Sequence, residues 1–239
     1  MRPAKPEDLE HTLLFKDVPP DFLDQIAKHS SLCKLRANVS LECVRGEVNY
    51  LYLIVKGFVA IWRPSCFGPN EYTFLAWRGP GQPIGEMKAL GAQQLSARID
   101  TCDPCEFIEI RADSFYDVLQ GAPIIYRNIC NLLLRKMRHQ GHRSEVIQMN
   151  SATGMVAQTL LHLAEDRLES DISSLTAIPI PGVILQEQLA AYAGIGREAV
   201  NIELSELRKK NIISSVGSKL GTRITILDWR SLEAIVRED

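Results

Sequence analysis

The 239-residue chain has no apolar run approaching the roughly 20 residues that a membrane-spanning helix needs. Its best candidate, LYLIVKGFVAIW, is broken by Lys56 and Gly57. The opening MRPAKPEDLEHTLLF mixes acids, prolines and a histidine before any apolar stretch, so it does not read as a secretory signal, and a cytoplasmic protein is expected. The six cysteines, at 33, 43, 66, 102, 105 and 130, are scattered, and only Cys102 and Cys105 are closely spaced. With no second pair at zinc spacing, free thiols are expected rather than a metal site or a disulfide framework. Neither sign of charge is in excess: the net charge of −2 neither points to nucleic acid nor excludes it, since a small basic face suffices. Nucleophile–base pairings, phosphate-binding glycine loops, internal repeats and low-complexity tracts are also missing. An enzyme is therefore not expected, and no cofactor is.

Nearly half of the residues are apolar, enough for one large core or two modest ones. From about residue 31 to 111 the apolar residues fall in short alternating segments separated by glycine, including NYLYLIVKGFVAIW, EYTFLAWRGPGQPIGE, LSARID and CEFIEIR. This spacing predicts an antiparallel sandwich or barrel. LFKDVPPDFLDQIAKHS predicts a short helix begun near the prolines, and ADSFYDVLQG another, closed by Gly121.

From Pro123 to about Met149 a long helix is expected. One heptad frame runs through Tyr126, Cys130, Leu133, Met137, Gln140, Ser144 and Ile147, apolar in its first half and polar at Gln140 and Ser144. Two readings compete: a helix packed on its own barrel, and a parallel dimer seam, which a 3.5-residue stripe of this length favours. TGMVAQTLLHLAEDRLES then predicts an amphipathic helix, and IISSVGSKLGTRITILD a hairpin with its tip between Gly217 and Gly221.

Between them, LAAYAGIGREAVNIELSELRKKNII predicts a helix over Gln186 to Ala193, a turn at Gly194 and a second helix over Arg197 to Lys209, with Leu189, Ala190, Val200 and Leu204 facing inward. Helix, tight turn, helix and hairpin in this order describe a winged helix-turn-helix, whose second helix presents its first residues to base edges. An arginine donates twice to guanine and a carboxylate accepts from cytosine N4, so Arg197 and Glu198 suit base reading, with Gln186, Asn201 and Ile202 nearby. Arg208, Lys209, Lys210, Lys219 and Arg223 are placed for phosphates.

These motifs resemble the DNA-binding domain of the bacterial transcription regulators typified by the cyclic-AMP receptor protein and the fumarate-nitrate regulator (CRP/FNR). LFKDVPPDFLDQIA, RGEVNYLYLIVKGFVAIW and GPGQPIGEMKALG are similar to that family's effector-binding β-roll, and SATGMVAQTLLHLAED to the helix after its dimerisation helix. The resemblance implies an α+β chain: a cyclic-nucleotide-binding-like β-roll or jelly-roll over 1–122, a dimerisation helix over 123–150 and a winged helix-turn-helix over 151–239. It further implies a homodimer on pseudo-palindromic double-stranded promoter DNA, with RNA polymerase as partner and no membrane association.

The departures from the family pattern are specific. Arg197 and Glu198 match the family's recognition helix, but Ile202, after Asn201, stands where a second arginine is usual. The half-site is expected to keep the G·C pair read by Arg197 and Glu198 and to differ at the other. In the effector pocket Gly85 and Glu86 match the ribose-binding pair, yet Leu95-Ser96-Ala97 replaces the Arg-Ser-Ala that holds a cyclic phosphate. Leucine cannot supply the bidentate cation, and Arg98, one step along a strand, faces the other way. Gln140-Gly141 stands where cyclic-AMP-responsive members carry Thr-Ser. The effector is therefore expected to be absent or a different small molecule. The cysteine-free first 32 residues lack the ligands of the iron-sulfur members, and for haem the long helix's His139 and His142 read as exposed or seam residues. The alternative reading is a ligand-binding or regulatory module whose C-terminal helices bind protein.

Overall fold

The computed structural model describes residues 2–10, 12–41, 50–65, 71–86, 90, 97–167, 177–180, 182–218 and 221–239. The chain divides into two compact units, Met1–Arg135 and Lys136–Asp239.

In the first unit a five-stranded sheet has the order β1 (Arg2–Pro3), β2 (Ser30–Leu35), β8 (Cys105–Arg111), β3 (Tyr50–Lys56), β6 (Pro83–Ile84). A three-stranded sheet has the order β5 (Tyr72–Arg78), β4 (Val59–Pro64), β7 (Arg98–Thr101). Every pairing is antiparallel, as the alternating pattern predicted. The run YLYLIV in β3 is apolar at consecutive positions because the sheet is covered on both faces. Leu51 and Leu53 join Ile108 and Ile110 in one core, whereas Tyr52 and Ile54 join Phe107, Cys33, Cys105 and Val59 in another.

The first of these cores is closed by helices α1 (Pro6–Glu10), α2 (Pro20–Lys28), α3 (Ala112–Leu119) and the start of α4 (Pro123–Val146), through Leu9, Leu23, Ile26, Phe115, Ile125, Ile129 and Leu132. Helix α2 begins at the prolines as predicted, with Pro20 in its first turn. The short β1 and α1 carry no periodicity that the sequence could reveal. Gly121 does not close α3 by a left-handed turn, since its φ is not positive. A Cβ there would lie 2.9 Å from the edge of the Phe22 ring of α2, so a larger residue would displace that ring.

One face of α4 packs on its own roll, the first of the two readings. Ile125, Ile129 and Leu132 pack on the roll, and the buried Asn128 donates from Nδ2 to the Leu14 and Lys16 carbonyls at 3.0 and 2.8 Å. The stripe through Tyr126 (47 % exposed), Cys130, Leu133 and Met137 (67 % exposed) remains open to solvent, with Leu134 beside it. Helix α4 ends at Val146, short of the expected 149, and Ile147 lies just past its end.

The second unit is built around α5 (Ala152–Arg167). This helix was expected to be amphipathic but is buried around most of its circumference, through Val156, Ala157, Thr159, Leu160, Leu161, His162, Leu163 and Ala164. Helices α6 (Gln186–Ala193), α7 (Arg197–Lys209) and α8 (Trp229–Glu238) pack against it, leaving a narrow strip with the half-buried Gln158 and the exposed Glu165. A three-stranded antiparallel sheet in the order β10 (Ile213–Ser218), β11 (Gly221–Ile226), β9 (Ile178–Pro179) completes the unit. Helix α8 was not anticipated, although its start signal is legible: Asp228 accepts from the Ser231 N–H at 3.0 Å as an N-cap. Asp239 caps α5 in turn, accepting from the Asn150 and Ser151 N–H groups at 3.0 and 3.3 Å.

Phe107 is fully buried between the two sheets. Phe107→Ala should cost about 3–5 kcal/mol in urea unfolding followed by tryptophan fluorescence. Tyr116→Ala, at a half-exposed position, should stay within about 0.5 kcal/mol.

Candidate nucleic-acid interface

Helices α6 and α7 have the predicted bounds. Helix α6 ends because Gly194 adopts φ 77°, a left-handed conformation in which its N–H and that of Ile195 both donate to the Ala190 carbonyl, at 2.9 and 3.1 Å. The chain reverses through Ile195 and restarts with Gly196 as the extended N-cap of α7. Leu189 and Ala190 are buried, as are Val200, Leu204 and Leu207 along one side of α7.

That burial fixes the outward face. With about 100° between successive residues, the side opposite Val200, Leu204 and Leu207 carries Glu198, Ile202 and Lys209, all exposed, and the exposed Arg197 opens the helix. Asn201 is half-buried on the flank, and Gln186 is half-buried at the start of α6. Glu203, not anticipated, accepts from the Thr153 hydroxyl of α5 at 2.7 Å and pins the helix's orientation.

The expected phosphate contacts divide into distinct environments. Arg208 donates from Nε to the Leu204 carbonyl at 3.1 Å and from Nη1 to Ser215 Oγ at 3.2 Å, tying α7 to β10. Lys209 lies 2.7 Å from Glu206 and by that hydrogen bond holds the carboxyl below the usual carboxylate range. Lys210 and Arg223 are exposed. Strands β10 and β11 pair from Ile213↔Ile226 to Ser218↔Gly221, which puts the hairpin tip where it was expected. Lys219 lies outside the described residues.

The end of α4 belongs to the same unit. Arg143 donates to the Ala191 carbonyl at 2.9 Å, and a methyl of Ile147 lies 3.4 Å from where a Cβ on Gly194 would sit. His142, expected to be exposed or in the seam, is instead half-buried and stacked on His162 of α5 with ring centroids 4.1 Å apart. Of the remaining stripe residues Gln140 and Ser144 are exposed, with the Ser144 hydroxyl turned back to the Gln140 carbonyl at 3.2 Å. Gly141 is exposed too.

In the roll, Gly85 has φ 83° and a Cβ there would lie 2.7 Å from the Tyr50 carbonyl oxygen, so the position requires glycine. Glu86 and Ala97 are half-buried. Leu95 and Ser96 lie outside the described residues. Arg98 is engaged within the small sheet: its guanidinium stands 4.5 Å from the Tyr72 ring centroid and 5.4 Å from that of Trp62, and 2.9 Å from the Asp100 carboxylate. The described residues contain no cluster of three or more histidine, cysteine or acidic side chains able to hold a metal, and no helix among them is long and apolar enough to cross a membrane.

The geometry agrees with known proteins that this chain resembles. Residues 155–235 match the model of a Crp-like helix-turn-helix domain and residues 42–122 that of a cyclic nucleotide-binding domain. The chain belongs to the CRP/FNR family of transcription regulators. It is 26 % identical over 205 residues to the cAMP-activated global transcriptional regulator CRP of Pasteurella multocida, covering 84 % of this chain and 95 % of that one. The structure of FixK2 from Bradyrhizobium japonicum shares its fold with a TM-score of 0.66, at 18 % identity over 86 % of this chain and 96 % of that one. So does the c-di-GMP responsive global regulator CLP of Xanthomonas campestris, with a TM-score of 0.64, 18 % identity and coverage of 87 % and 99 %. As a CRP/FNR regulator the protein binds DNA and regulates transcription.

Among the described residues of the roll, Cys33, Cys102 and Cys105 are buried. Burial pushes the Cys105 thiol up to about 12, with Cys102 and Asp103 adding to the shift. Its Sγ donates to the Asp103 carbonyl at 3.1 Å. A neutral buried thiol is a poor nucleophile. Iodoacetamide at neutral pH should therefore spare Cys33, Cys102 and Cys105 in the folded protein and label all three after denaturation, as read by peptide mass spectrometry. The unfolded chain releases the Cys105 proton near pH 9 and the folded chain only near 12. Stability from this group is thus intact below pH 9 and falls as pH rises through that window. Cys105→Ala should flatten the decline.

Proposed function

We propose that the protein is a homodimeric, sequence-specific regulator that reads a pseudo-palindromic promoter site without requiring cyclic AMP. The observation that carries this reading is the seating of α7, which leaves Arg197 and Glu198 exposed at the start of a helix that follows a tight turn and precedes a hairpin. Those are the side chains suited to guanine O6/N7 and cytosine N4. Lys209, Lys210, Lys219, Arg208 and Arg223 are assigned to phosphates, and Gln186 and Asn201 to the rim of the same surface.

Dimerisation is assigned to the helix over 123–150, between an effector domain over 1–122 and a DNA-binding domain over 151–239. The open stripe of Tyr126, Cys130, Leu133 and Met137 supports it, continued by Gln140, Ser144 and Ile147. In a parallel pair, each α7 would face the major groove about one DNA turn, roughly 34 Å, from its counterpart.

Independence from cyclic AMP rests on chemistry. Leu95 offers no charge to a cyclic phosphate, and Arg98, three positions on, is already engaged by Asp100, Trp62 and Tyr72. Any small molecule seated near Gly85, Glu86, Leu95, Ser96 and Ala97 would act only through unequal affinity for the DNA-competent and incompetent states. RNA polymerase is the assigned protein partner and the cytoplasm the assigned compartment.

The direct test is retention of sequences from a randomised DNA pool by ligand-free protein, alone and with cyclic AMP or cyclic di-GMP. The same palindrome should emerge in every arm; enrichment only with cyclic AMP would refute the effector reading. Arg197→Ala should lose about 1–3 kcal/mol of base discrimination at one G·C pair per half-site while remaining folded. Diamide should convert the protein to a reducible cross-linked dimer, and Cys130→Ser should abolish the cross-link.

A further inference from the structure

We propose that Ile202 is a base-reading side chain that receives the 5-methyl group of a pyrimidine in the major groove, that pyrimidine being thymine in unmodified DNA. The proposal rests on the DNA-binding reading above and specifies one of its contacts.

Ile202 is 60 % exposed, and the core beneath α7 is already filled by Val200, Leu204 and Leu207. Its placement on the outward side is unfavourable by itself: a β-branched side chain loses rotamer freedom in a helix, and its apolar surface faces water. The neighbours on that side, Glu198 and Lys209, are charged. An aliphatic group on that face gains free energy when it meets an apolar partner.

Its position identifies the partner. Ile202 stands four residues after Glu198 on the same face, so the two side chains are about 6 Å apart along the axis. If Glu198 meets a cytosine edge, Ile202 lies within about two stacked base pairs of it, at 3.4 Å per step. An isoleucine neither donates nor accepts a hydrogen bond. Among the groups displayed on the floor of the major groove, the thymine C5-methyl is the apolar one, and the others are donors and acceptors that an aliphatic contact would leave unpaired. Ile202 therefore favours a T·A pair close to the G·C pair. 5-Methylcytosine presents the same methyl, and a direct substitution separates the two sources.

The test uses the full-length protein and the half-site retained from the random pool. Each thymine is replaced singly by deoxyuridine, which removes only the methyl, and affinity is measured at fixed salt by fluorescence anisotropy. Burial of one methyl corresponds to roughly a three- to fivefold loss per half-site. That loss should appear at one thymine within two pairs of the G·C pair that depends on Arg197, and it should vanish in Ile202→Ala. Ile202→Val should keep most of it. Deoxycytidine at that position should bind weakly, and 5-methyldeoxycytidine should recover part of the loss; recovery equal to thymine would assign the contact to a methylated cytosine instead. Both variants change an exposed position, and an unchanged thermal midpoint verifies their folding. A selected site whose thymines all tolerate uridine overturns the assignment while leaving sequence-specific binding intact. So does a uridine penalty that persists in Ile202→Ala. A protein that retains no sequence from the pool overturns the DNA-binding reading itself, and the assignment with it.

Discussion

The function of the second unit depends on how α7 is seated. Val200, Leu204 and Leu207 recur at helical spacing and are buried, and the Glu203–Thr153 hydrogen bond fixes the helix's rotation about its axis. Once that side is committed, the opposite side is decided without further choice: Glu198, Ile202 and Lys209 face outward, with Arg197 at the leading end. A rotation of one residue, about 100°, would replace this face with an unrelated set. Aliphatic packing that contacts no nucleic acid thus determines which chemistry is offered to it. The left-handed Gly194 serves the same end, because it lets α7 start immediately after α6.

In the first unit the scaffold and the proposed change of ligand chemistry rest on different residues. The alternation of Leu51 and Leu53 against Tyr52 and Ile54 allows one sheet to serve two cores, one under the helices and one facing the small sheet. Gly85 remains at a position that only glycine fills, and Glu86 follows it. The cation that would neutralise a cyclic phosphate is what the sequence lacks at Leu95. Arg98, close by in the sequence, is engaged by the Asp100 carboxylate and lies over the Tyr72 and Trp62 rings.

Much of this architecture was legible in the sequence because its signals are periodic or sterically forced. The α6–turn–α7 bounds emerged from the Gly194 punctuation and the spacing of apolar residues, and the antiparallel strands from period-two alternation and glycine. What escaped reading depends on contacts distant along the chain. The burial of α5 on nearly all sides leaves no amphipathic contrast to detect, and its true extent shows only once α6, α7 and α8 close around it. The His142–His162 stack, the Thr153–Glu203 bond and the Asp239 cap join residues 20, 50 and 89 positions apart, beyond the reach of any local pattern. Helix α8 is separated from β11 by two residues, and its local signal is the Asp228 N-cap.

The central claim is that two α7 helices, one from each protomer, place Arg197 in the major groove. Dimethyl sulfate footprinting of guanine N7 on a bound site, with ligand-free protein, tests it most directly. The account predicts two protected guanines about ten base pairs apart, with protection lost from both in Arg197→Ala. Stable binding with every guanine N7 still reactive would contradict it.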